Sequence, residues 1–150
     1  MLRQHQRESK GSLASGGIKM EFKLVLGTKD GKSYQKEVKD AAAEALHNKC
    51  IGDTVSGDEL GFPGYEFMVT GGSDKCGFPM RKGIQSARKK IMAGPGIGCS
   101  GLDRNEKKQK GLLSKKTVCG ERISKIIHQV NLKVLKEGSQ PLAGAAAAGQ

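Results

Sequence analysis

The sequence predicts a small, mostly β domain: an antiparallel β-barrel-like sheet with one short helix and long basic loops. Three observations favour this class. Several short segments alternate apolar and polar residues, as half-buried strands do. The 150 residues include 22 glycines, which suit many turns, and aromatic residues make up only 4 %. The core is therefore expected to be small and built mainly from Val, Ile, Leu and Met.

A β-hairpin and a short helix are predicted at the start of the patterned region. Alternation runs through residues 22–26, and a second strand is expected at residues 34–38. Between them lies Asp30-Gly31, a dipeptide typical of hairpin turns. A short helix is then expected over residues 40–48, capped by the aspartate that begins it, because alanine and leucine favour helices.

Further strands are predicted downstream. Residues 51–60 are interpreted as turns and a brief strand, residues 65–70 as the clearest half-buried strand, and residues 88–93 as another strand. Residues 126–135 are predicted to form a strand of about ten residues, since β-branched side chains dominate its inward face. A helical stripe through residues 123–134 is the alternative for this last segment.

The chain is expected to consist of one folded domain and two disordered ends. Residues 1–19 are polar and Gly/Ser-rich without periodicity, which predicts a disordered N-terminal extension. Residues 20–137 are expected to form the domain, with a basic surface loop at residues 94–116. Residues 138–150 form an Ala/Gly tail that has no partner face, so this tail is predicted to be disordered.

Most of the positive charge lies in one block. The formal net charge is +11, and residues 81–125 hold thirteen basic residues against three acidic ones. Such a one-sided field usually faces a polyanion, because each neutralised phosphate releases counterions; a solvated surface is the alternative. Since no aromatic residue follows Phe78, RNA recognition is expected through phosphates, sugars and shape. The candidate RNA-binding residues are Arg81, Lys82, Arg88, Lys89, Lys90, Arg104, Lys107, Lys108, Lys110, Lys115 and Lys116.

A glycine-rich turn is predicted just before this block, at residues 70–81. Within it, residues 71–77 resemble half of a phosphate-binding loop but lack the Gly-Lys-Ser/Thr of a Walker motif. Their backbone N–H groups can point at a phosphate, with Asp74 bracing the turn through its own backbone. A tight turn without a ligand is the other interpretation.

The sequence does not support a nucleotide-binding, metal or catalytic site. Residues 96–101 match the dinucleotide fingerprint G-x-G-x-x-G, with Glu121 twenty residues further on, but no helix is predicted after the last glycine. Four isolated cysteines, at positions 50, 76, 99 and 119, and three histidines lack metal-ligand spacing, so free thiols and no metal are expected. Paired catalytic groups are missing too. The sequence therefore predicts neither an enzyme nor a bound cofactor.

Membrane and targeting signals are not found in the sequence. No apolar run approaches the roughly 18 residues of a membrane-spanning helix. The first residues lack the apolar stretch of a secretory signal. A cytoplasmic protein with no membrane partner and no small-molecule substrate is expected.

The glycine-rich turn resembles the signature of a known family. It belongs to the stretch Val69-Thr70-Gly71-Gly72-Ser73-Asp74-Lys75-Cys76-Gly77-Phe78-Pro79-Met80. This stretch resembles the motif of the archaeal and eukaryotic small-subunit ribosomal protein S6e family, and its motif positions here are Gly71, Gly72, Asp74, Gly77, Pro79 and Met80. Supporting similarity runs through residues 20–137, at segments 22–25, 51–53, 62–65, 94–96, 115–118 and 129–134.

The resemblance implies a β-barrel-like domain of the small ribosomal subunit that contacts small-subunit rRNA through basic loops and has ribosomal proteins as neighbours. It implies no catalysis, metal or small cofactor, and it favours the strand interpretation of residues 126–135. It also implies the shorter, archaeal type of the family. A free RNA-binding translation or ribosome-assembly factor is the alternative function.

Overall fold

The computed structural model describes residues 21–39, 41–103, 105–108, 110–138 and 142. This part of the chain contains seven strands and two short helical segments. The elements are β1 (Glu21–Gly27), β2 (Ser33–Lys39), α1 (Ala41–Leu46), β3 (Thr54–Ser56), a 3-10 helix (Asp58–Leu60), β4 (Glu66–Asp74), β5 (Arg88–Ala93), β6 (Ser114–Cys119) and β7 (Ile127–Lys136). The predicted mostly β class with one short helix is confirmed. Strands β1, β2, β5 and β7 lie where the sequence pattern predicts them.

Five strands form one curled sheet in the order β2-β1-β7-β4-β3. Neighbouring strands are antiparallel, except that β1 and β7 are parallel. β1 and β2 form the predicted hairpin across Asp30-Gly31. β7 occupies the centre, so the last strand of the described residues joins the N-terminal hairpin to β4.

The core lies on the inner face of this curled sheet. Alternation along β1 buries Phe22, Leu24 and Leu26 and leaves the residues between them more exposed. The neighbouring strands add aliphatic side chains, as the composition predicts. Phe67 of β4 forms an aromatic cluster with Phe62 and Tyr65, which precede that strand, and the ring centroids lie 5.8 to 6.3 Å apart. The main contributions from β4 and β7 are Phe67, Val69, Val130, Leu132 and Val134. Each such buried side chain contributes about 1.5–3 kcal/mol, so this face supplies most of the stability.

Lys36 of β2 links the two edges of the five-stranded sheet. Its Nζ donates a hydrogen bond to the carbonyl oxygen of Leu60 (3.2 Å) and lies 4.1 Å from the centroid of the Phe62 ring. Both partners follow β3, the opposite edge strand. A lysine over an aromatic face contributes roughly 0.5–1 kcal/mol at a partly exposed site. The contact therefore helps to hold the sheet in its half-barrel curl.

Helix α1 ends two residues earlier than predicted. Asn48 has a left-handed backbone (φ +67°), and its N–H donates to the carbonyl of Ile123 (3.0 Å) instead of to the helix. His47 closes a tighter turn on Glu44 (3.0 Å), as is common at a helix end. The predicted cap, Asp40, lies outside the described residues. No helix within the described ranges is long and apolar enough to cross a membrane.

Strands β5 and β6 form a second, two-stranded antiparallel sheet, called the ribbon from here on. The connection between them is shorter than the predicted loop of residues 94–116, because Ser114 already pairs with Ala93. Lys115 and Lys116 therefore lie on a strand and not in a loop.

The predicted disordered ends fall almost entirely outside the described residues. This holds for all of residues 1–19, and of residues 138–150 only Gly138 and Leu142 are described. Leu142 is buried with the core cluster, so at this position the chain packs instead of extending into solvent.

Candidate RNA interface

The glycine-rich segment that the sequence predicts as a turn begins as a strand. β4 continues through Asp74 before the chain reverses. It can continue because Gly72 has no side chain: a Cβ there would lie 2.3 Å from the carbonyl oxygen of Gln129 on β7. The reversal itself spans Asp74 to Phe78, and the N–H of Asp74 donates to the carbonyl of Phe78 (3.1 Å). Gly77 within the reversal has φ +82°, which glycine adopts without strain.

The second half of the segment bridges the two sheets. Met80 donates its N–H to the carbonyl of Gly72 on β4 (2.8 Å). Cys119 on β6 donates to the carbonyl of Pro79 (2.8 Å) and accepts from the N–H of Arg81 (3.1 Å). The family-motif positions from Gly72 to Met80 therefore lie in the junction between the five-stranded sheet and the ribbon, and the name junction is kept for residues 72–81.

Asp74 lies at the centre of the junction, with a side chain that is 0 % exposed. Its Oδ1 accepts the N–H groups of Cys76 (2.7 Å) and Phe78 (3.0 Å), the bracing that the sequence predicts. Its Oδ2 accepts Nε (2.7 Å) and Nη2 (2.6 Å) of Arg88 and the thiol of Cys119 (3.3 Å). A buried carboxylate without partners would be strongly destabilising. Here donors from several separate segments of the chain converge on it.

These contacts set the ionisation of the cluster. Burial raises the pKa of Asp74, but the hydrogen bonds that it accepts, from the Phe78 N–H onward, outweigh this and hold the pKa below its ordinary value of 3.8. Burial, together with the neighbouring Asp74 carboxylate, raises the pKa of Cys119 to about 11. At neutral pH a carboxylate, a guanidinium and a neutral thiol therefore share this buried site.

Arg88 connects the ribbon to the junction. Besides its pair with Asp74, its guanidinium lies 5.5 Å from the Phe78 ring centroid and 3.5 Å from Sγ of Cys76. The sequence groups Arg88 with the RNA-binding candidates, whereas the structure gives this side chain an internal partner and leaves it 41 % exposed. A signal for this pairing exists in the sequence: Asp74 is the one acidic residue between positions 67 and 102. No feature of the sequence indicates that Cys119 also contacts Asp74.

The other predicted RNA-binding residues lie on the outside of the molecule. Within the described ranges none of the lysines among them is ion-paired. Arg81 is half-buried, with Nη1 3.4 Å from the carbonyl of Ile97, and Arg104 lies outside the described residues. The exposed side chains are Lys82 beside the ribbon, Lys89, Lys90, Lys115 and Lys116 on it, and Lys107, Lys108 and Lys110 in the loop between its strands.

The dinucleotide-like motif has a local structural role. Gly96 and Cys99 exchange backbone hydrogen bonds (2.8 and 3.0 Å), so the motif is a tight turn, and no helix follows it in the described part of the loop. The Glu121 carboxylate accepts the N–H of Gly83 (2.7 Å) and the amide of Gln85 (2.8 Å). These hydrogen bonds connect the segment before β5 to the segment after β6. They also use the Glu121 carboxylate, which a nucleotide ribose would need as its acceptor.

Cysteine positions in the described structure show neither a disulfide nor a metal site. The thiols at positions 50, 76, 99 and 119 are all free. Among the described residues no group of His, Cys, Asp and Glu side chains is arranged to hold a metal ion.

The residues of the junction and of the domain around it match a protein-family model. The family model described as ribosomal protein S6e matches residues 22–147. The chain belongs to the ribosomal protein S6e family. The resemblance seen in residues 69–80 is thereby confirmed, and so is the prediction that the chain is not an enzyme, because ribosomal protein S6e is a structural component of the ribosome.

Curated relatives in archaea cover nearly the whole domain, and each is named small ribosomal subunit protein eS6. The Methanococcus maripaludis (strain C7) protein is 43 % identical over 129 residues, which is 83 % of this chain and 95 % of the relative. The Archaeoglobus fulgidus protein is 42 % identical over 126 residues, covering 82 % and 93 %. The Natronomonas pharaonis protein is 35 % identical over 123 residues, covering 81 % and 91 %.

Proposed function

We propose that the chain is a structural constituent of the small ribosomal subunit that binds small-subunit rRNA through the ribbon and the loops beside it, with ribosomal proteins as neighbours and in the cytoplasm. The ribbon is the observation that carries this proposal. Every charged side chain on β5 and β6 is basic. The ribbon lysines are exposed without an ion pair in the described structure, and such lysines suit phosphates.

The junction supports the proposal by fixing where these lysines stand. Backbone hydrogen bonds at Pro79 and Arg81 hold the end of β6, and the ion pair of Arg88 with Asp74 holds the start of β5. A ribbon held at both strands presents its charges at a fixed spacing. Fixed spacing lowers the entropy lost when phosphates are bound.

Filter binding of small-subunit rRNA across a salt series tests the proposal. The ribbon variant replaces Lys89, Lys90, Lys115 and Lys116 with Gln. The sheet variant, a control of equal charge change, replaces Lys23, Lys39, Lys133 and Lys136 with Gln. The ribbon variant is expected to bind more weakly and to lower the slope of log affinity against log salt by about three, whereas the sheet variant binds as the parent does. Affinity of the parent that stays flat between low and moderate salt would contradict the proposal.

Sedimentation separates a ribosomal constituent from a free RNA-binding translation or assembly factor. In sucrose gradients the tagged chain is expected at one copy per small subunit, and also after a high-salt wash. A chain that leaves the subunits in the wash, or that peaks only with precursor particles, would be a factor instead.

A further inference from the structure

The two faces of the ribbon differ in what covers them. Side chains directly opposite each other in an antiparallel pair share a face, and successive residues alternate. One face carries Ala93 and Val118, which are both 0 % exposed. The loop between the strands lies against this face, because a Cβ at Gly98 would be 3.3 Å from Val118. The loop therefore covers the apolar side chains of this face, whereas Lys89 and Lys116 on the same face stay exposed.

The opposite face is open beyond its base. Arg88 and Cys119 lie at the base and turn into the junction. Beyond them come Lys90 and then Met92, which is paired with Lys115. Leu113 completes the face, since its Cδ2 lies 3.6 Å from where a Cβ of Gly94 would be. We call the side chains of Lys90, Met92, Leu113 and Lys115 the open face.

The open face combines exposed apolar surface with positive charge. Met92 is 62 % exposed and Leu113 is 58 % exposed, although large apolar side chains on one face of a protein are usually covered. Lysines adjoin both of them, and β5 and β6 carry no acid. A surface of this composition complements a partner whose anionic groups adjoin a less polar surface.

We propose that the open face docks into the shallow groove of an RNA helix, with Met92 and Leu113 against ribose faces and Lys90 and Lys115 on the adjoining phosphates. This proposal rests on the proposed function and specifies which part of the rRNA the ribbon contacts. The shallow groove of A-form RNA is wide and lined by riboses, whereas its deep groove is too narrow to admit side chains. Unstacked bases are usually held on aromatic rings, and no aromatic residue follows Phe78, so a single strand fits less well.

The test is binding of small-subunit rRNA by the double variant Met92→Ser and Leu113→Ser. We expect about tenfold weaker binding with an unchanged salt slope, because apolar contact is lost and no charge is removed. Leu135→Ser is the matched control, since Leu135 is an exposed leucine (38 %) on β7 of the other sheet, and it should bind within about twofold of the parent. An RNA duplex of about 16 base pairs should compete for the chain better than its separated strand or the same DNA duplex.

Each other outcome overturns the proposal in a distinguishable way. A double variant that binds like the parent, with the parent's salt slope intact, removes the open face as an RNA contact and leaves the proposed function standing. If that variant also fails to enter small subunits, the open face contacts a protein. A single strand that competes as well as the duplex contradicts groove docking. A parent chain without rRNA affinity contradicts both proposals.

A measurement on the parent chain guards against misfolding of the variant. Dilute peroxide oxidises exposed methionine to the sulfoxide. Bound rRNA should slow the oxidation of Met92, followed by mass spectrometry, relative to half-buried Met68 on β4. Equal oxidation of Met92 with and without saturating rRNA would overturn the proposal.

Discussion

The five-stranded sheet and the ribbon use the same strand geometry for opposite purposes. The sheet buries the apolar side chains of one face and places acids beside lysines on the other, as in the pairs Lys23–Glu37 and Lys39–Glu21. On the ribbon only Ala93, Val118 and Cys119 are buried, and all of its charge is positive. The buried core that stabilises the fold therefore lies in the five-stranded sheet, and the uncompensated positive charge lies on the ribbon.

A two-stranded sheet alone is marginally stable in water, and like charges on it reduce its stability further. The ribbon is stable here because the junction connects it to the larger sheet. That connection is the buried carboxylate of Asp74 with its partners, reinforced by the backbone hydrogen bonds of residues 79–81. This division explains how one small domain holds a repulsive basic surface in a fixed shape.

The largest expected effect separates the two regions with one kind of substitution. Leu24→Ala on β1 removes a side chain that is 0 % exposed, so it should lower the free energy of unfolding by about 2–5 kcal/mol. Leu113→Ala beside the ribbon removes one that is 58 % exposed, and it should cost under about 0.5 kcal/mol. Urea denaturation measures both. Similar losses would mean that the ribbon has a core of its own.

The next effect tests the junction. Asp74→Asn leaves Arg88 without its ionised partner at a buried site, so unfolding should become easier by about 2–4 kcal/mol, with the partial exposure of Arg88 limiting the loss. Asp58→Asn is the control: Asp58 is exposed and accepts the N–H of Gly64 (3.1 Å), and its change should cost under about 1 kcal/mol. Amide exchange should rise first in β5 and β6. A variant that unfolds like the parent would rule out the junction as the anchor of the ribbon.

The sheet is predictable from the sequence, whereas of the junction only the turn braced by Asp74 is. Alternation over residues 22–26 and 126–135 depends only on local contrast between apolar and polar residues, so it predicted β1 and β7 closely. The reach of β4 through Asp74 depends on how near β7 passes Gly72, a contact across 57 positions of sequence that no local pattern records. Charge alone predicts that Arg88 binds RNA, because its pairing with a distant buried carboxylate leaves only one sign in the sequence, the isolated acid at position 74.

A smaller effect follows from the lowered pKa of Asp74. A folded-state pKa below the ordinary 3.8 means that the carboxylate stabilises the fold fully above that pH and loses this contribution as pH falls through the folded-state value. The parent should therefore lose stability to acid more steeply than Asp74→Asn below pH 3.8. Urea denaturation of both proteins over an acid pH series measures the difference. Parallel stability curves would show that other carboxylates carry the acid sensitivity.

The smallest expected effect concerns the lysines alone. The sheet variant breaks three exposed ion pairs, those of Lys23, Lys39 and Lys136, and should lose roughly 0.5–1 kcal/mol of stability in total. The ribbon variant breaks none within the described structure and relieves repulsion between lysines on paired strands, so its stability should change by under about 0.5 kcal/mol or rise slightly. Thermal and urea denaturation measure both at low salt, where the contrast is greatest. A ribbon variant that loses more stability than the sheet variant would show that these lysines support the fold, and their place on the ribbon could then be explained without RNA.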